Sequence, residues 1–229
     1  RHKKGANDAK RGKIFTKHAR LITLAAKGGA DPDLNASLRA AIDNAKAENV
    51  PNDNIQRAIA KAGGAGSDTQ MFEMTYEAYG PKGVAFLIEA ITDNKNRTVS
   101  SVRTILNKNG GSLGESGSVG YMFQLKGVVS GSGDVSSEDL QMELLDNGLL
   151  DIETNDNEFI LYTEAGKAPL IKQILENHNL TVESAKNAKI ADNIMTVEDD
   201  SLAEKITRLV EKLEEDDDIT DVYTSSDLF

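Results

Sequence analysis

The stretch Gly83 to Gly111, GVAFLIEAITDNKNRTVSSVRTILNKNGG, changes its apolar period halfway along. Its first ten residues are an almost unbroken apolar run, which reads as a buried strand. From Thr98 to Asn107, Val99, Val102, Ile105 and Leu106 recur at helical spacing, and Gly110-Gly111 ends the helix. The intervening TDNKNRT turns the corner. A strand running straight into an amphipathic helix marks a mixed α+β fold, so the flanking sequence is read for partners of this unit.

Downstream, a Gly/Ser loop leads to a strand in SVGYMFQLKG, Ser118 to Gly127. Its completing half is expected far along the chain: a strand in NIMTV from Asn193, an amphipathic helix from Leu202 to Leu213, and an edge strand in ITDVYT from Ile219. Between these lie a strand near Val128, a helix from Ser137 to Leu145, strands at Leu150 to Glu153 and Glu158 to Tyr162, a helix from Ala168 to Asn177, and a strand from Leu180 to Ala188. That order is a second βαββαβ sandwich inserted into the first.

Upstream the pattern is helical. Ile14, His18, Leu21 and Ala25 form one stripe with Ile22 beside it, and Gly28-Gly29 stops the helix. Asp31-Pro32 signals the start of a second helix carrying Leu38, Ala41, Ile42 and Ala45 on one face. A third follows Pro51, with Ile55, Ala58, Ile59 and Ala62 facing inward until Gly63-Gly64, and a hinge-like segment spans Ala62 to Asp68. The expected fold is α+β, an N-terminal three-helix bundle plus two ferredoxin-like α/β sandwich domains, one inserted in the other. The expected boundaries are residues 1–74 for the bundle, 75–127 with 193–229 for the discontinuous domain, and 128–192 for the inserted acidic domain.

Charge is distributed as unevenly as structure. Residues 1–66 hold 13 Lys+Arg against 6 Asp+Glu, and the remaining 163 hold 13 against 31, in a chain of formal net charge -11. A cationic module of +7 is drawn to polyanions, and a remainder of -18 is repelled by them. Lys10, Lys13, Lys17, Arg20 and Lys27 fall within one sector of the first helix, extended in front by Arg1, His2, Lys3, Lys4 and Arg11, so a phosphate backbone is the expected partner. The plainer reading is a solvated helix face; segregation of the charge favours the nucleic-acid reading.

Three other stretches compete as sites. NGGSLGESGSVGYMF, Asn109 to Phe123, has the glycines of a phosphate loop but neither the P-loop lysine nor G-x-G-x-x-G, and reads as tight turns. In TDNKNRT, Asn96 or Thr98 is the expected cap, while Lys95 and Arg97 form a secondary anion contact at a helix start. EEDDD, Glu214 to Asp218, lacks calcium-loop spacing and reads as hydrated carboxylates.

With His2, His18 and His178 the only histidines and no Cys, zinc ligation and thiol chemistry are unsupported, and there is no G-x-S-x-G elbow. No catalytic site, metal or cofactor is expected. Absence of Cys suits the cytoplasm, or the mitochondrial matrix in a eukaryote, and no apolar run approaches the roughly 20 residues needed to span a bilayer. The chain begins at Arg1, so some sequence ahead of it is expected.

DAKRGKIFTK (Asp8 to Lys17), LRAAIDNAKAENVPNDNIQRAI (Leu38 to Ile59), YEAYGPKGVAFLIEAITDNKNRT (Tyr76 to Thr98) and GGSLGESGSVGYMF (Gly110 to Phe123) together resemble the YebC/PmpR family over nearly the whole chain. The family's basic leader, ending in a lysine-tryptophan segment, is absent here. The resemblance implies three domains and a non-enzymatic regulator of gene expression, a DNA-binding transcriptional regulator. Alternatively it implies a ribosome-associated translation factor that binds rRNA and relieves stalling at proline runs. A further alternative is a protein-interaction adaptor using the acidic domains; a monomer is expected, with no membrane contact.

Overall fold

The computed structural model describes residues 2–64 and 70–229. The side chains of residues 1–10, and positions 65–69 of the hinge-like segment, lie outside the described residues.

Three helices open the chain: α1 (His2–Ala26), α2 (Ala36–Ala47) and α3 (Asn52–Gly63). Asn35 joins the first two. Its side-chain oxygen accepts from the Leu38 amide at 3.1 Å, and its Nδ2 donates to the carbonyls of Ala25 and Gly29, both at 2.8 Å. One side chain therefore caps α2 and satisfies a carbonyl at the end of α1. This is why α2 starts at Ala36 and not at Asp31-Pro32; the Asp31 carboxylate instead folds the preceding turn by accepting from the Asp33 amide at 2.9 Å. Ile22, Ala26, Leu38, Ile42, Ala45 and Ile55 form the core of this bundle. The buried line of α1 passes through His18, Ile22 and Ala26, one position round from the stripe expected through Leu21 and Ala25.

The bundle and the first sheet belong to one compact unit, residues up to Gly120 with Ile194–Phe229, and Tyr121–Asn193 form a second. In the first unit, β1 (Phe72–Tyr79), β2 (Ala85–Thr92), β3 (Ser112–Leu113) and a late strand, Ile219–Thr224, build an antiparallel sheet. Tyr76 faces Ile88 across the central hairpin. α4 (Lys95–Lys108) and a late helix, Asp200–Glu214, bury Val102, Leu106, Ile206, Leu209 and Leu213 against Tyr76, Phe86 and Ile88. Asn94, not Asn96 or Thr98, caps α4 through the Arg97 amide at 3.1 Å, so the helix begins three residues before Thr98.

The second unit is the βαββαβ sandwich: β4 (Phe123–Ser132), α5 (Glu138–Asp146), β5 (Leu149–Asn155), β6 (Glu158–Thr163), α6 (Ala168–Asn177) and β7 (Thr181–Ala191). Its strand order is β5-β6-β4-β7. Val129, Leu140, Leu144, Phe159, Leu161 and Ile171 fill its core. Gly127 is required where β4 passes Thr163, since a Cβ there would lie 2.1 Å from the threonine Oγ1. The late elements of the first unit complete the numbering: α7 (Asp200–Glu214) and β8 (Ile219–Thr224), which gives the first sheet the order β3-β1-β2-β8.

Two strands read from sequence are corrected. Ser118 to Gly127 does not continue the first sheet: Gly117, Val119 and Gly120 turn their amides onto the Glu77 carboxylate, and ladder pairing starts only at Phe123, opposite Ala191 of β7. NIMTV is not a sheet strand either. It meets the chain end at a single bridge, Met195 to Ser226, with the Asp227 carboxylate accepting from the Val197 amide.

Candidate nucleic-acid interface

Lys13, Lys17 and Arg20 recur at helical spacing, so α1 presents them as one row. The structure sets that row against the end of α7 and against β8. Lys13 Nζ donates to the Glu214 carbonyl at 3.1 Å, Lys17 Nζ pairs with Asp221 at 2.7 Å, and Arg20 reaches both the Ile91 carbonyl at 2.6 Å and Asp218 at 2.8 Å. Asp218 is 4% exposed. It also accepts from Arg97 at 2.8 Å and from the Thr98 hydroxyl at 2.7 Å, with Thr92 at 3.3 Å. Burial pushes this carboxyl up, but the bonds from Arg97 and Thr98 and the nearby Arg20 charge outweigh it and hold it below the usual carboxylate range. The acidic run read as hydrated thus ends in a buried anion on which two helices converge.

The other exposed side of α1 faces α3 across an open groove of about 580 Å³. Thr23 sets the spacing by donating to the Ala58 carbonyl at 3.0 Å. Four cations line the groove, Arg20 and Lys27 from α1 and Arg57 and Lys61 from α3, against one carboxylate, Asp93. Phe15, Ala19, Ala58 and Met71 supply an apolar wall between them. Arg57 is oriented by its own helix, donating from Nε to the Asp53 carbonyl at 3.2 Å and from Nη2 to Asn54.

The predicted residues are therefore divided. Lys13, Lys17 and Arg20 carry bonds within the chain, and Arg20 and Lys27 line the groove. Arg11 is exposed, its guanidinium 5.9 Å from the Phe15 ring centroid. Lys3, Lys4 and Lys10 fall on the first turns of α1, with side chains outside the described residues. Of the secondary pair, Lys95 stacks over Phe72 at 4.2 Å and Arg97 bridges Asp93 and Asp218. The glycine loop encloses the protein's own anion: burial raises the Glu77 carboxyl, but the amides of Gly117, Gly120 and Val119 draw it net downward. Arg57 and Lys61 were not singled out in the sequence, although their spacing beside the Ile55/Ala58/Ala62 stripe places them on one rim of α3. Among the described residues, no group of three or more His, Asp or Glu is arranged to hold a metal, and no helix is long and apolar enough to cross a membrane.

A helical module with a cation-lined groove, joined to two four-stranded α+β sandwiches, defines the molecule's class. Family models described as TACO1/YebC protein N-terminal domain and TACO1/YebC second and third domain match residues 1–65 and 71–226, so the chain belongs to the TACO1/YebC family. A probable transcriptional regulatory protein of Enterococcus faecalis is 46% identical, the match covering 98% of this chain and 94% of that one. The Bacillus subtilis probable transcriptional regulatory protein YrbC is 43% identical over 97% of this chain and 94% of its own. Among solved structures, the crystal structure of a conserved hypothetical protein from Aquifex aeolicus superposes with a TM-score of 0.81 at 38% identity, covering 96% of this chain and 91% of that one.

Proposed function

We propose that the chain is a non-enzymatic, nucleic-acid-binding regulator of gene expression, a DNA-binding transcriptional regulator of YebC type, and that it docks through its helical module. The observation carrying this reading is the groove between α1 and α3, where the exposed Arg57 and Lys61 of α3 stand with Lys27 and the Asp218-paired Arg20 of α1, in a chain whose net charge is -11. A cluster of cations on an otherwise acidic chain attracts a polyanion locally, and the polyanion's condensed counterions are released on contact. Relatives named as probable transcriptional regulatory proteins support the same direction. Lys3, Lys4, Lys10 and Arg11, earlier on α1, are assigned to the same contact, while Lys17 has its charge balanced by Asp221 and Lys13 is tied to the Glu214 carbonyl.

The test is charge reversal where the fold does not depend on the residue. The double variant Arg57→Glu, Lys61→Glu should lower affinity for nucleic acid by at least about 10-fold at physiological salt. It should leave the thermal transition in place, because both side chains are exposed. A DNA shift assay run beside cosedimentation with ribosomes assigns the polymer. Unchanged binding to both would end the proposal.

A further inference from the structure

The groove has a feature that phosphate binding alone does not explain: beside its cations its lining includes the apolar side chains of Phe15, Ala19, Ala58 and Met71. A duplex offers a convex ridge of phosphates and keeps its base faces stacked inside, so it would engage the rim and leave those side chains wet. A single strand offers both chemistries at once, an anionic backbone and unstacked base faces.

The long row a duplex would follow is also engaged elsewhere. Lys13 and Lys17 are bonded to Glu214 and Asp221, which leaves the two helix rims flanking a short concave site. Arg20, on the α1 side, is held by Asp218 and the Ile91 carbonyl, whereas Arg57 and Lys61, four residues apart on α3, present exposed cations along the other rim. Thr16 and Asn54 add hydrogen-bonding groups at the edge of the apolar wall.

We infer that the α1–α3 groove is a binding site for single-stranded nucleic acid, with a base against the Phe15/Met71 wall and its flanking phosphates on Arg57 and Lys61. This rests on the nucleic-acid reading above and specifies the form of the polymer. The strand is bound without demand for a particular sequence, because every base has an apolar face.

The experiment uses the full chain and fluorescence anisotropy with three labelled probes: a mixed-sequence DNA 12-mer, its RNA counterpart, and the DNA duplex of the same sequence. At about 150 mM salt the single strands should bind about 10-fold tighter than the duplex. Met71→Asp, which wets the wall without touching a cation, should weaken single-strand binding about 10-fold and leave the duplex value unchanged. Lys61→Glu should weaken all three, and circular dichroism shows whether each variant is folded. Duplex binding as tight as single-strand binding, or a folded Met71→Asp that binds single strands normally, overturns the inference while the nucleic-acid reading stands. Binding of no probe even at low salt overturns both.

Discussion

Asp218 joins more of the chain than any other carboxylate described, and its isolation from water makes it testable. Arg20 from α1, Arg97 and Thr98 from α4, and Thr92 from the end of β2 all converge on it, while its own amide is held by the Asp216 carboxylate at 2.9 Å. Removing the carboxylate leaves the buried Thr98 hydroxyl without this acceptor and Arg20 without its partner, so Asp218→Ala should cost about 2 kcal/mol in denaturant unfolding of the first unit. The pH dependence follows from the direction of the shift. A carboxyl held below its usual value binds its proton more readily when unfolded, so its stabilisation is present above the ordinary range and lost as pH falls through the native value. Wild type should therefore lose stability progressively below about pH 4, and Asp218→Asn should show a shallower loss. An identical acid limb in the two proteins would remove Asp218 from this role. Nothing in EEDDD announces it: five adjacent carboxylates look alike in sequence, and only the arrival of Arg20 and Arg97 from remote positions distinguishes the last.

At the scale of elements, α1 works on two sides, and that duality explains where sequence reading succeeds. Its apolar positions and terminating glycines are local signals, so the helix and its bundle were legible, as were α6 from Ala168 to Asn177 and β8 from Ile219 to Thr224. Strand β1 carries a weaker signal although FEMTYEAY alternates, because it lacks the Val and Ile that usually mark a strand. The cationic row was legible as a row, but its partners were not, since Asp221 is 204 residues from Lys17. A charge-reversal pair separates the two sides of the helix module. Lys17→Glu would face Asp221 across 2.7 Å and should destabilise the first unit by about 1 kcal/mol, the loss of a partly exposed pair plus new repulsion. Lys61→Glu, exposed on α3, should leave stability within about 0.5 kcal/mol. Nucleic-acid affinity should respond in the opposite order, with Lys61→Glu the more damaging; equal losses would place the row of α1 in the interface directly.

Across the whole molecule the governing fact is opposition between a module of +7 and a remainder of -18. Such a chain binds a polyanion through local attraction while its other domains are repelled, and ionic strength sets how far each effect reaches. The Debye length is about 10 Å at 0.1 M and about 30 Å at 0.01 M. Near physiological salt, only the groove cations should be felt, and the two phosphate contacts at Arg57 and Lys61 give a slope of log affinity against log salt of about -1.4 on a single strand. As salt is lowered, repulsion from the chain's excess carboxylates acts over a longer range and offsets part of the gain. The plot should therefore flatten below about 20 mM, where the Debye length passes about 20 Å. Anisotropy titrations from 10 to 300 mM potassium chloride measure this curvature directly. A line that stays straight to the lowest salt would mean the excess carboxylates exert no field at the binding site. Neutralising exposed carboxylates of the first unit, such as Glu204, Glu211 and Asp217, should restore the missing low-salt affinity without altering the slope near 150 mM, because the groove's own contacts remain the same.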